Sequence, residues 1–208
     1  LDQTRRRNPA SRHPSTNFRR ATLAGNGHRS TEIAAGILAR LHGCDASQQE
    51  FPLIEDLYPE AELQARRDNA YERRSRRDAR RGEAGLKLLR AAARTIEALI
   101  DTPSGRTVLH GDFSNKNILS AGAAFVVIDP IPKLGDPCTD VANYAITQPA
   151  DQMFDTANQL AHALDLDPRR TERWTAVYAV LQDCQAWRED QAVLDGLLQD
   201  AWFRNLLA

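Results

Sequence analysis

The 208-residue sequence predicts an α+β fold, mainly helical, with a small β-hairpin. Two observations predict it. Apolar residues recur every three or four positions through long stretches on both sides of the middle of the chain, which is helix periodicity. Between residues 107 and 129 the pattern changes to short apolar runs separated by a turn, which is strand and hairpin patterning. The length suits one compact domain with a buried core.

The elements follow in order. Residues 1–30 carry Arg5, Arg6, Arg7, Arg12, Arg19 and Arg20 among Pro9, Pro14, Gly25 and Gly27, with no helical or strand period. They are expected to be a disordered or irregular basic lead-in to a folded unit over 31–208. Gly25-Asn26-Gly27-His28 has the look of a phosphate loop, but no strand pattern precedes it, so it reads as a turn. Ser30 or Thr31 caps a helix with Glu32 in its first turn, Ile33, Ile37, Leu38 and Leu41 on one face, and Gly43 at its end. Residues 44–60, with Pro52 and Pro59, read as a loop. Residues 60–81 mix many arginines with Glu and Asp; a solvated helical face is favoured there over an anion site. Gly82 and Gly85 interrupt, and Leu86, Leu89, Ala93, Ile96 and Ile100 mark a second helix.

Thr107-Val108-Leu109 and Asn117-Ile118-Leu119 are short strands, and residues 120–123 are a turn. Ala124-Phe125-Val126-Val127-Ile128 is expected to be a buried strand that delivers Asp129. Helices resume with Val141, Tyr144 and Ala145, and again with Phe154, Ala157, Leu160, Ala161 and Leu164. Asp167-Pro168 opens another, with Trp174, Val177, Tyr178 and Leu181 inward. A single last helix is expected over 193–207.

Composition excludes some functions. The formal net charge is −1, which does not point to nucleic acid or to a membrane surface. A nucleic-acid arm would rest on the basic segments alone, and near residues 5–20 only Phe18 could stack on a base. Arginine outnumbers lysine 24 to 3, a bias that fits a GC-rich genome better than any function. Cys44, Cys138 and Cys184 are odd in number and form no C-x-x-C pair, so a reduced cytoplasm is expected and a zinc site is not. No run of 18 apolar residues exists. No feature of the sequence sets an oligomeric state.

One segment carries chemistry. His110-Gly111-Asp112-Phe113-Ser114-Asn115-Lys116-Asn117 is followed by the apolar run that ends in Asp129. The order is that of a kinase-type phosphoryl-transfer site. An Asp in the loop can accept the proton of an attacking hydroxyl. An Asn on the same loop and an Asp on the next strand can hold a Mg²⁺ that neutralises phosphates. Turn residues between strands are the plain alternative for Asp112, Asn117 and Asp129.

Together with Val127-Ile128-Asp129-Pro130 and Gly135-Asp136-Pro137-Cys138-Thr139-Asp140-Val141-Ala142, this segment resembles the aminoglycoside phosphotransferase superfamily. It is most similar to the aminoglycoside 6-phosphotransferase (streptomycin kinase) and hydroxyurea phosphotransferase group. Ala39-Arg40-Leu41-His42-Gly43 resembles the end of the first helix of that family's C-terminal lobe, and the likeness spans roughly residues 31–190. The resemblance implies the mainly helical C-terminal lobe of a protein-kinase-like fold. It also implies ATP and Mg²⁺ as cofactors and a small-molecule hydroxyl compound, such as an aminoglycoside, as acceptor. Asp112 is then the catalytic base, and Asn117 and Asp129 are the metal ligands. His110 supports the loop by packing and hydrogen bonding, and Asp140, at a helix start, accepts hydrogen bonds from loop amides, with a simple N-terminal helix charge favoured by the macrodipole as its plain alternative.

Several positions depart from the family pattern. Ser114 stands where relatives often have His, and Lys116 where many have Gly. Lys116 is a candidate phosphate contact, with a surface loop lysine the preferred reading. Asp136 is a candidate contact for a cationic substrate, with bracing of the loop preferred. Ile131 replaces the lysine that relatives often place after Asp-Pro, and Lys133 comes two residues later. Asp183, Glu189, Asp190, Asp195 and Asp200 are either an acidic pocket for a cationic acceptor or, by preference, solvated helix surface. No lysine precedes Lys87, so a strand lysine and its N-terminal lobe are expected to be missing. The implied activity is transfer of the ATP γ-phosphate to a substrate hydroxyl. The alternative is a truncated, non-catalytic remnant that binds a small molecule or a protein.

Overall fold

A computed structural model of the chain describes residues 19–20, 27–45, 47, 49–54, 79–102, 105–185 and 190–208. The charged stretch 60–78, and most of the lead-in, lie outside these residues. So does Glu189.

The helical body is built around one central helix. Helix α1 is Gly27–His42, α2 is Ala79–Asp101, α3 is Cys138–Ala145, α4 is Met153–Ala163 and α5 is Pro168–Gln185. Two short helices close the chain, α6 at Gln191–Gln199 and α7 at Ala201–Leu206. Helix α5 packs against α2, α3, α4 and α7. Its surroundings explain why Thr171, Trp174, Thr175, Ala176, Val177, Ala179, Val180 and Leu181 are all buried. The two buried threonines satisfy their hydroxyls on the helix itself, donating to Asp167 O (2.9 Å) and Thr171 O (2.8 Å).

Two small antiparallel sheets carry the middle of the chain. Strands β1 (Arg19–Arg20), β3 (Ile118–Ala121) and β4 (Ala124–Val127) form one, in the order β1-β3-β4. Strands β2 (Thr107–Leu109) and β5 (Lys133–Gly135) form the other. The β3–β4 hairpin forms where its patterning predicts, with Ile118 opposite Val127 and Ala121 opposite Ala124, but β4 is exposed at Ala124 and only half-buried beyond it rather than buried. Gly122 turns it at φ +67°.

Four details differ from expectation. Helix α1 begins one turn before Ser30, because Ser30 and Thr31 are buried rather than capping; the Tyr144 hydroxyl donates to Ser30 O at 3.3 Å. Within 1–30, Arg19–Arg20 form a strand paired with Ser120 and Leu119, so part of the lead-in is regular. Helix α2 runs through Gly82 and Gly85 instead of starting after them. Two glycines cost about 2 kcal/mol relative to alanine, which the packing of a 23-residue helix can outweigh. Finally, the C-terminal helix breaks at Asp200, whose backbone is extended and whose carboxylate caps α7 by accepting from Trp202 N at 2.7 Å.

Strand β5 is the element the sequence pattern does not announce. It is three residues long and holds its place by pairing with β2 and by Leu134 N donating to Pro52 O at 2.9 Å. This ribbon carries the candidate site. Strand β2 runs into His110, and β5 follows Asp129 after three residues.

Candidate active site

The loop between β2 and β3 is fastened from below. Phe113, fully buried, anchors it against the Tyr144 ring, with centroids 5.5 Å apart, and meets the His110 ring edge-on at 5.8 Å. Asp140, on the first turn of α3 and 1% exposed, receives two loop amides: His110 N donates to Oδ2 at 2.8 Å and Gly111 N to Oδ1 at 3.0 Å. A carboxylate satisfied by backbone N–H groups is a strong, directional clamp. His42, at the end of α1, faces the same Oδ2 at 3.2 Å.

His110 is held at both ring nitrogens. Asp112 N donates to Nδ1 at 3.3 Å, so Nδ1 must accept, and the proton sits on Nε2, which donates to Ile128 O at 3.0 Å. The imidazole thereby ties the loop to the strand that ends at Asp129.

Gly111 is dictated by geometry. Its φ is +78°, and a Cβ there would overlap the Ile131 carbonyl oxygen. Ile131 N donates to His110 O at 2.8 Å, which is why the two segments approach so closely. Gly111→Ala is expected to destabilise the fold by more than the ~1–3 kcal/mol of a strained left-handed residue. Gly122→Ala, at φ +67° with open space around it, carries the conformational cost alone. Thermal unfolding of both variants checks this; equal shifts would remove the overlap from the account.

The structure brings Asp112, Asn117 and Asp129 to one rim. Asn117 is buried, and its Nδ2 donates to Asp112 O (2.8 Å) and to Asp112 Oδ2 (3.0 Å). Its backbone oxygen accepts from Ile128 N at 2.9 Å, which extends the β3–β4 register by one pair and sets Asp129 just beyond it. Asp129 is exposed and sits at φ +55°, a conformation that Asp tolerates better than most residues. Lys116 Nζ lies 3.0 Å from Asp112 Oδ2, with 62% of its side chain exposed. Asp112 Oδ2 thus serves two donors.

The donor set fits magnesium. With Nδ2 of Asn117 committed to Asp112, Oδ1 is the amide atom that can ligate a cation, and Asp129 adds a carboxylate. Mg²⁺ takes hard oxygen ligands, commonly one or two from protein and the rest from phosphates and water. Among the described residues no group of three or more His, Cys, Asp or Glu side chains clusters, so phosphate oxygens and water would have to complete the shell.

Asp136 faces the interior. Oδ2 accepts from Arg170 Nε at 2.5 Å and from Trp174 Nε1 at 2.6 Å, while Oδ1 accepts from Cys138 N at 3.0 Å. Arg170 also donates to Leu99 O at 2.5 Å, so one buried ion pair joins α2, the start of α3 and α5. A residue so engaged is a brace, and its placement lends nothing to substrate contact. Burial, and then the charge of Asp136, push the neighbouring Cys138 thiol up to about 12, so it stays protonated and is no nucleophile.

The C-terminal acids also have local work. Asp190 Oδ2 accepts from Ala150 N at 2.6 Å, Asp183 and Asp195 both accept from Gln191 Nε2, and Asp200 caps α7. Sequence reasoning missed His42, Arg170 and Trp174 as supports. Arg170 and Trp174 lie four residues apart on one helix face, and an arginine in line with an inward tryptophan was the available signal.

Comparisons with known proteins bear on the family and the fold. Residues 12–191 match the family model described as aminoglycoside/hydroxyurea antibiotic resistance kinase. A choline/ethanolamine kinase family protein from Mesorhizobium loti shares the fold, with a TM-score of 0.57 at 19% identity. The match covers 86% of this chain and 64% of that one, so the chain spans somewhat under two thirds of the solved relative's length. A comparison with curated proteins finds no match. Among the described residues no helix is long and apolar enough to cross a membrane.

Proposed function

Because the chain belongs to the aminoglycoside/hydroxyurea antibiotic resistance kinase family, we propose that it is the catalytic lobe of an ATP-dependent small-molecule O-phosphotransferase. The acceptor class is a hydroxyl-bearing compound of the aminoglycoside (streptomycin) or hydroxyurea type. The observation that carries the reading is the Asp112–Asn117 contact beside Asp129, on a loop clamped by Asp140.

Asp112 is the general base. Its carboxylate, about a third exposed, accepts the proton of the acceptor hydroxyl as that oxygen forms its bond to the γ-phosphorus. The bond to the β,γ-bridging oxygen breaks and ADP leaves. Asn117 orients the base through Nδ2 and offers Oδ1 to the metal, with Asp129 as the second ligand. Mg²⁺, when bound, neutralises the phosphate oxygens. Lys116 is well placed to add positive charge where the phosphoryl group passes, because its exposed ammonium can leave Asp112 Oδ2 for a phosphate oxygen.

Titration with a non-hydrolysable ATP analogue tests the reading. Binding is expected to require Mg²⁺ and to disappear in Asp129→Ala. No binding at millimolar nucleotide would favour the alternative, a non-catalytic module that binds a small molecule or a protein.

A further inference from the structure

Asp129 is followed by three apolar residues that all face solvent, Pro130, Ile131 and Pro132. Ile131 is 53% exposed, and among the described residues the other large apolar side chains so exposed, Val193 and Trp202, belong to the C-terminal helices. A single exposed isoleucine needs no explanation. Three consecutive apolar residues on a surface are ordinarily avoided unless they serve a function.

This ridge is rigid and stands against the catalytic loop. Prolines flank Ile131 on both sides and fix their own φ angles. Ile131 N donates to His110 O at 2.8 Å. A Cβ on Gly111 would lie 3.4 Å from the Cβ of Ile131, so the isoleucine neighbours the residue just before Asp112. An apolar side chain is therefore displayed at a fixed place beside the base, and a ligand that covers it has little chain to order.

Charge points the same way. Between residues 105 and 145 the chain has four carboxylates, and each has a task. Asp112 meets Lys116 and Asn117, Asp136 meets Arg170 and Trp174, and Asp140 takes the loop amides. Asp129 is the metal ligand of the scheme above. The Lys116 ammonium, exposed beside Asp112, repels a cation rather than holding one.

We propose that Pro130-Ile131-Pro132 is the acceptor-facing ridge of this site, and that the acceptor lays an uncharged, apolar face on it. Resting on the phosphotransfer reading, this narrows the acceptor class to a hydroxyl on an uncharged scaffold rather than on a polycation.

The test uses the whole chain and a pair of probes of one shape, cyclohexanol and trans-4-aminocyclohexanol, which differ by a single ammonium. Each is titrated with Mg²⁺ and the ATP analogue present, and the isoleucine δ1-methyl signals are followed by NMR. The Ile131 signal, identified by its loss in Ile131→Leu, is expected to move to saturation with cyclohexanol. The amine is expected to bind at least about tenfold more weakly, because its ammonium loses water on an apolar surface. Ile131→Ser is expected to lower cyclohexanol affinity about fivefold and to leave the amine within about twofold of wild type. Ile131→Leu should stay within about twofold for both probes. Thermal unfolding of both variants should match wild type, since the side chain is exposed.

Equal affinity of wild type for the paired probes would overturn the proposal. So would an Ile131 signal that does not move, or unchanged cyclohexanol affinity in Ile131→Ser. Mg²⁺ nucleotide binding alongside any of these results would leave the phosphotransfer reading standing and remove the ridge alone. Cyclohexanol binding that moves Ile131 in a chain that does not bind the nucleotide would uphold the ridge as a site for an apolar alcohol and count against the ATP-dependent reading alone.

Discussion

Asp112→Asn is expected to lower the rate of phosphoryl transfer by about 10²–10⁴-fold, the usual worth of a positioned general base. The amide keeps the shape of the carboxylate and can still accept from Asn117 Nδ2, so the loop should hold its form. What is lost is the capacity to take a proton from the acceptor hydroxyl. Affinity for the Mg²⁺ nucleotide should change little, because Asn117 and Asp129 carry the metal in this scheme. Steady-state ATP turnover with an acceptor, paired with nucleotide titration, separates the two effects. Retention of more than about a tenth of the rate would show that Asp112 is not the base, since general-base losses are far larger.

The second large effect concerns stability. Asp136→Ala is expected to destabilise the fold by about 3–5 kcal/mol, the cost of leaving a buried charge without its partner. The Arg170 side chain is 10% exposed and would keep its guanidinium charge with only Leu99 O and Thr102 Oγ1 to accept from it. The Trp174 indole N–H and Cys138 N would lose their acceptor too. Asp136→Ala combined with Arg170→Met should recover part of the loss, because removing both charges removes the uncompensated one. Urea unfolding of both variants measures this. A single variant less than about 1 kcal/mol below wild type would mean that the pair is no more than a surface-grade contact. Catalysis would suffer as well, since Asp136 fixes the start of α3 and α3 supplies Asp140.

Much of the fold was legible because local rules are strong where a segment has one buried face. The α1 face, the α4 face and the β3–β4 hairpin all follow from periodicity and turn chemistry. Strand β5 was not legible: Lys-Leu-Gly between prolines has no alternation long enough to count, and only pairing with Thr107–Leu109 makes it a strand. The start of α1 was misplaced because a buried Ser30 looks like a cap when the Tyr144 contact is unknown. The continuity of α2 through two glycines, and the break at Asp200, were likewise set by packing and by a single side-chain cap.

At the site, the order and spacing of His110, Asp112, Asn117, Asp129, Asp136 and Asp140 were determined by sequence alone, as were the residue types a phosphoryl-transfer centre needs. These are properties of a short stretch of chain, and chemistry constrains them directly. Which of these residues face solvent and which hold the loop was decided by tertiary structure. Asp129 is exposed at a strand end, whereas Asp136 and Asp140 are buried with every oxygen taken. No spacing rule distinguishes these carboxylates. What distinguishes them is the desolvation of each, and that depends on segments 29–38 residues away bringing Arg170, Trp174 and the loop amides into place.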